Sequence, residues 1–236
     1  GQFIGYIANE EFIESNWSVV GFPKNSKNTA KAINLLDIKY IAHKLTDKRF
    51  SWTFPYWTYP KGQFNLIYKD KYYRFYQNNN VLPHTFLVGE YRVIKDKKQI
   101  LKTIFSDGFN PRREIVLEDD PKIIKTNGDI GDVKILNYQS NSIDILVDSK
   151  SNALLFLIDN YVLGWKASVD GKNVPILRAN YTFRAIGVDE GKHNVRFWYE
   201  PWSFRWGVYL AIGGVIGILI TILISRIANR SKSSSS

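Results

Sequence analysis

The chain contains no cysteine and no methionine. Without thiols there is no disulfide framework, no thiolate metal site and no thiol redox chemistry. Histidine is scarce too: His43, His84 and His193 fall in three different predicted elements, and no HExxH pairs any of them, which argues against zinc. A GxSxG nucleophile elbow, a P-loop and a GxGxxG turn leading into a helix are also missing. No residue is assigned a catalytic role and no cofactor is expected. The N-terminus has neither an initiator methionine nor the charged-then-apolar pattern of a signal peptide.

What the chain does have is a membrane-length apolar run, Trp206 to Ser225, with no charged residue. About 20 positions at 1.5 Å each match the ~30 Å hydrocarbon core of a bilayer. Trp202, Arg205, Trp206 and Tyr209 crowd its entry side, while Arg226, Arg230 and Lys232 follow its exit with no acidic residue among them. The positive-inside rule then puts residues 226–236 in the cytoplasm and everything before the helix outside a bacterial cell membrane. Gly213 and Gly217 form a GxxxG pair that lets a second helix approach closely, although glycine is common in membrane helices. An outside domain with no export signal is expected to follow earlier transmembrane helices of a longer polypeptide.

At 236 residues, 44% hydrophobic and 15% aromatic, the chain can bury the core of one or two domains. Its net charge of +10 suits a neighbour that is anionic, such as lipid headgroups, lipid-linked phosphates or a wall polymer. The lysines are dispersed, so simple solubility explains them equally well. Nucleic acid is excluded as a partner by the topology.

Residues 1–120 mix helix and strand signals. Asn28 to Leu36 has helical spacing, and Asp37 to Leu45 shifts to strand composition. Phe64 to Tyr68 and Tyr72 to Tyr76 are spaced as a hairpin, and Thr85 to Ile94 reads as one strand. Asp96 with Gln99 makes an N-cap, Ile100, Leu101, Ile104 and Phe105 an apolar face, and Gly108 a left-handed stop. Glu114 to Glu118 follows as a strand, so the region is predicted to be α+β with a small antiparallel sheet.

Residues 121–201 change to short strands at close spacing: Val133 to Tyr138, Ser142 to Val147, Ala153 to Ile158, Trp165 to Val169, Asn173 to Leu177, Tyr181 to Val188 and His193 to Tyr199. About seven strands predict a β-sandwich. Asp170-Gly171 is a type I′ hairpin signal, because that turn needs positive φ at both central residues. Helix 206–225 and tail 226–236 complete the chain.

Several side chains invite a ligand. Phe50 to Pro60 places Trp52, Tyr56 and Trp57 around two prolines, fit to stack on sugars, rest at a bilayer interface or plug the side of the core. Trp165 can stack on a sugar or fill the sandwich. Arg178 and Arg184 flank Asn180 and Tyr181, a cluster able to hold a phosphate or glycan hydroxyl, or to brace the sandwich. Glu118, Asp119 and Asp120 form the densest acidic group, more readily a solvated strand end than a cation site.

The block Leu154 to Pro201, with GWKASVDGKNVP, RANYTFRA and GKHNVRFWYEP, resembles the C-terminal extracytoplasmic domain of YfhO-type bacterial membrane proteins. Leu35 to Tyr40, Tyr72 to Asn78, Leu82-Pro83 and Phe109 to Arg112 extend the likeness upstream. His84 stands where that pattern has arginine, and Leu163 where it commonly has proline. The resemblance implies the end of a polytopic, GT-C-like glycosyltransferase that moves a sugar from a polyprenyl-phosphate carrier to a cell-wall or teichoic-acid-type polymer. Its catalytic acidic loop is not expected in this stretch, which would be an accessory, acceptor-side region with the lipid bilayer, upstream helices, lipid-linked sugar and anionic polymer as partners. The alternatives are a non-enzymatic glycan-binding or scaffolding module and a folded spacer.

Overall fold

The computed structural model describes residues 27–44, 61–123, 125–126 and 128–233. The aromatic loop at residues 50–60 lies outside the described residues. Among those described there are three helices and fourteen strands in three sheets, an α+β body followed by an apolar helix.

Helix α1 (Lys27–Leu35) precedes β1 (Tyr40–Lys44), β2 (Phe64–Lys69) and β3 (Tyr73–Asn78), which form an antiparallel sheet in the order β1-β3-β2. The β2–β3 hairpin is closed by Asp70, whose Oδ1 accepts hydrogen bonds from the backbone N–H groups of Tyr72 and Tyr73 at 2.7 and 2.6 Å. That local bond is why an aspartate occupies this turn.

The predicted strand Thr85 to Ile94 is instead two, β4 (Thr85–Val88) and β5 (Glu90–Val93). The break falls at Gly89, where a Cβ would lie 2.1 Å from the Thr126 carbonyl oxygen. Only glycine admits that strand-crossing segment. Asp96 caps α2 (Lys97–Phe105) by accepting from the Gln99 N–H at 2.7 Å. The helix ends one step earlier than expected: Ser106 is extended and donates its N–H to Thr103, so Gly108 makes no left-handed cap. Helix α2 returns the chain so that β6 (Glu114–Leu117) runs parallel to β5, the one parallel pairing among the described strands.

Eight strands follow: β7 (Gly131–Tyr138), β8 (Ser142–Ser149), β9 (Ala153–Leu157), β10 (Trp165–Val169), β11 (Lys172–Val174), β12 (Leu177–Ala179), β13 (Phe183–Val188) and β14 (Gly191–Tyr199). Asp170 and Gly171 have φ of 50° and 79°, the expected type I′ hairpin between β10 and β11. The predicted strand Asn173 to Leu177 divides around Pro175, which cannot donate to a ladder, and there the chain crosses between sheets. One sheet has the order β11-β10-β14-β8-β7 and the other β4-β9-β13-β12-β6-β5. Strands from both sides of residue 120 thus share the six-stranded sheet, and in the segment expected to divide two regions Ile123 packs on one core and Ile130 on the other.

The six-stranded sheet is central. On one face Leu154, Phe156, Phe183 and Ala185 pack with α1 and α2 through Leu35, Leu101 and Ile104. On the other, Leu155, Leu157, Ile186 and Val188 meet Ile143, Ile145, Val195 and Phe197 of the five-stranded sheet. Strict period-two alternation lets β9 and β13 serve both cores, which is why β9 reads as an unbroken apolar run.

Beyond Glu200 and Pro201 the chain enters α3 (Trp202–Ser233). Its Trp202–Leu223 stretch, 22 residues of mean hydropathy 2.2, is exposed throughout and long enough to cross a membrane. It begins four residues before the run expected from Trp206.

Candidate functional site

Trp52, Tyr56 and Trp57 lie outside the described residues. Trp165, Arg178, Asn180, Tyr181 and Arg184 gather in and beside the sandwich. Asn180 is fully buried at φ 44°; its Oδ1 accepts the Val116 N–H at 2.8 Å and its own N–H donates to the Val116 carbonyl at 2.8 Å. Its side chain thereby acts as backbone, tying the β12–β13 turn to β6. Tyr181, at φ 76°, packs half-buried on the helix-side core.

Arg178 and Arg184 are direct partners across β12 and β13. Two cations side by side need separate answers. Arg178 lies 4.7 Å over the Tyr161 ring and 3.6 Å from the Glu118 carboxylate. Arg184 is buried, lies 3.9 Å over the Trp165 ring and donates its Nε–H to the Asn160 carbonyl at 2.8 Å. Burial draws its guanidinium below the ordinary value against the field of Asp159. Two members of the acidic group are likewise engaged: Glu118 by Arg178, and Asp120 by the Tyr91 hydroxyl, from which it accepts at 3.2 Å.

Around this pair the fold assembles a cluster that no sequence spacing announces. His84, just before β4, has Nδ1 3.0 Å from Asp37 in the α1–β1 turn and Nε2 3.7 Å from Asp159 after β9. The Tyr138 hydroxyl donates to Asp159 at 3.0 Å, and its ring stands edge-on to His84 at 5.2 Å. Asp159 foremost, then Asp37, holds the His84 imidazole above its ordinary value, against burial. Burial alone would raise the Asp159 carboxyl; His84, Tyr138 and Arg184 outweigh it and hold it low. His84 Nε2 and Arg184 Nη1 are buried without a hydrogen-bond partner. These contacts make the cluster an electrostatic clasp between the α1–β1 turn and the sandwich. The departure from arginine at position 84 was its only trace in the sequence.

A second feature is open to solvent. A cleft of about 670 Å³ lies on the outer face of the five-stranded sheet. Along β14, Val195 and Phe197 point into the core, which sends Arg196 and Trp198 outward. In register, Arg196 opposes Ser168 on β10, and Trp198 opposes Ser142 on β8. Trp198 donates its indole N–H to Glu200 at 3.3 Å, and Glu200 also pairs with Lys166 at 2.8 Å. Those two bonds, Lys166 first, hold the Glu200 carboxyl low. The alternation in HNVRFWY marks an indole on the polar face, a signal that sequence reading passed over.

A two-layer sandwich carrying helices and a small third sheet, with a bilayer-length apolar helix at its C-terminus, defines a membrane-anchored, β-rich protein. Within that class, residues 122–211 match the family model described as bacterial membrane protein YfhO. The match contains the whole Leu154 to Pro201 block and runs into α3, so the resemblance read there is borne out; the upstream motifs lie before the matched residues. No curated protein and no solved structure matches the chain.

Proposed function

We propose that this region is the accessory, acceptor-side part of a GT-C-like membrane glycosyltransferase that transfers a sugar from a polyprenyl-phosphate carrier to a cell-wall or teichoic-acid-type polymer. The observation that carries the reading is the YfhO match, continuous from the sandwich into the apolar helix. The folded body lies outside the cell and the basic residues after the helix lie in the cytoplasm, in keeping with the positive-inside rule. Catalysis belongs to residues beyond this stretch, and the body shapes a groove for the acceptor. Its charge of +10 draws in phosphate-rich partners, an attraction that weakens with salt.

Two measurements test this. The chain has no cysteine, so single cysteines report topology cleanly. Lys192→Cys should react with an impermeant maleimide on intact cells, and Ser236→Cys only after permeabilisation. In membranes holding the full-length parent, radiolabelled sugar should pass from its polyprenyl phosphate to wall polymer; absence of transfer with any acceptor overturns the enzymatic reading. The second reading, a non-enzymatic glycan-binding module, is favoured by the tryptophan-lined cleft and predicts retention of polymer without turnover.

A further inference from the structure

We propose that the cleft on the outer face of the five-stranded sheet binds a pyranose carrying a negatively charged substituent, with Trp198 under the ring and Arg196 on the charge. Arg196 and Trp198 are two positions apart on β14, so their bases are separated by about 7 Å. That is the reach of one sugar ring and its exocyclic arm. An indole offers an apolar face to the ring's C–H groups, and its orientation is fixed here by the bond from Nε1 to Glu200.

The rest of the lining suits hydroxyls. Gln139, Asn141, Ser168 and Asn173 each both donate and accept, as sugar hydroxyls do. Among the described residues no carboxylate lines the cleft, and the adjacent Glu200 is engaged by Lys166 and Trp198. Arg196 supplies the single charge among the described lining residues. Its side chain is 63% exposed, makes no hydrogen bond among the described residues, and meets one carboxylate, Asp144, at 3.7 Å. A guanidinium left with most of its donors free is matched by a phosphate or carboxylate, which it can hold by two parallel bonds. A plain neutral sugar would leave that charge unanswered.

Tyr199 and Glu200 lead from the cleft straight into α3, so a ligand presented at the membrane surface can reach it. The ligand chemistry follows from the cleft's own residues. Only its natural source, a lipid-linked sugar phosphate or a phosphate-bearing wall glycan, rests on the proposed function.

The test uses the 236-residue chain in phosphatidylcholine nanodiscs, with its seven tryptophans replaced by 5-fluorotryptophan and the Trp198 fluorine resonance identified by Trp198→Phe. Glucose 6-phosphate should shift that resonance and bind about tenfold more tightly than methyl glucoside, the increment of one charged hydrogen-bond pair. Arg196→Gln should remove the tenfold difference. Asp144→Asn, which withdraws the competing carboxylate, should tighten glucose 6-phosphate and leave methyl glucoside unchanged. Arg196 is exposed and Asp144 half-buried on the sheet's outer face, and both replacements keep the side chain's size and polarity, so the fold tolerates these changes. An unmoved Trp198 signal with both sugars, or the same shift from inorganic phosphate, overturns the proposal. Displacement of glucose 6-phosphate by a polyprenyl-phosphate sugar in the disc identifies the lipid source, and displacement by a soluble glucosylated polyol-phosphate polymer identifies the wall source; displacement by neither overturns the proposed role. Persistence of the shift in a parent that transfers no sugar would overturn the proposed function and leave the cleft's assignment standing.

Discussion

The guanidinium of Arg184 rests 3.9 Å over the indole of Trp165, joining β13 of one sheet to β10 of the other inside the sandwich. A desolvated cation–π contact contributes about 2 kcal/mol and a charged hydrogen bond, here Nε–H to the Asn160 carbonyl, about 1.5–3, with incomplete additivity. Arg184→Ala should therefore destabilise by about 3 kcal/mol in thermal or urea melts of the micelle-solubilised chain. Arg184→Lys should recover less than half, since an ammonium lacks the planar contact. A change under about 0.5 kcal/mol for the alanine variant would refute the bracing role.

Asn180 makes two bonds to Val116 while holding a positive φ. Asn180→Ala orphans the buried Val116 N–H and keeps a Cβ in left-handed backbone, at a cost of about 2–3 kcal/mol. Asn180→Gly relieves the backbone cost and should be about 1 kcal/mol milder. Denaturant melts of the two variants decide: equal losses would show that backbone conformation is not part of the effect.

The His84 clasp makes a signed pH prediction. The folded-state imidazole titrates above its ordinary value of 6.5, so its stabilisation is complete below 6.5 and disappears as pH rises through the raised value. Asp159 titrates below its ordinary 3.8, so its contribution is present above 3.8 and lost as pH falls through the depressed value. The cluster stabilises most between those limits. His193, raised chiefly by Asp170, has the same sign, and His43, lowered by burial and then by Arg74, the opposite one. His84→Gln should therefore lower the melting temperature more at pH 5.5 than at pH 8.5. An equal drop at both would exclude a charged His84.

The elements legible in the sequence are those fixed by local chemistry. Asp170-Gly171 named its own turn, Asp96 its own cap, and the alternation of β8 its own inward face. What escaped were decisions made by distant partners. Gly89 ends β4 because Thr126 passes against it, and β4 to β6 complete a sheet with strands more than thirty residues later. The site divides in the same way. Trp165 and Arg184 were visible as residue types, but their mutual stacking depends on two sheets meeting. The His84, Asp37 and Asp159 cluster comes from three separate loops with no shared spacing. Arg196 and Trp198 needed only the strand's alternation to be followed to its polar side.

Gly89 offers a stringent check of that long-range packing. A methyl group there would sit 2.1 Å from the Thr126 oxygen and 2.9 Å from Ile130 Cδ1. Backbone must shift, which overpacking data put at about 1–3 kcal/mol. Gly89→Ala should fall at the upper end, whereas Gly108→Ala, with nothing within 4 Å, should be nearly neutral. Comparable melting temperatures for the two variants would contradict the close approach.

The last prediction concerns α3, where Gly213, Gly217 and Thr221 recur every four residues and so share one stripe of the helix. A Cβ at either glycine would meet nothing within 4 Å, and Thr221 turns its hydroxyl back to the Gly217 carbonyl at 2.9 Å, leaving a smooth groove open to another helix. In lipid, association depends on such close backbone approach, since apolar side chains gain nothing by leaving the acyl chains. Gly213→Ile with Gly217→Ile should therefore reduce cross-linking of α3 to a neighbouring transmembrane helix several-fold, while Ile216→Gly with Ile220→Gly, one residue round the helix, should not. Because no described residue of the folded body contacts the stripe, the body's melting temperature should stay unchanged in both pairs. Undiminished cross-linking in the isoleucine pair would mean that α3 anchors the protein without packing through this face.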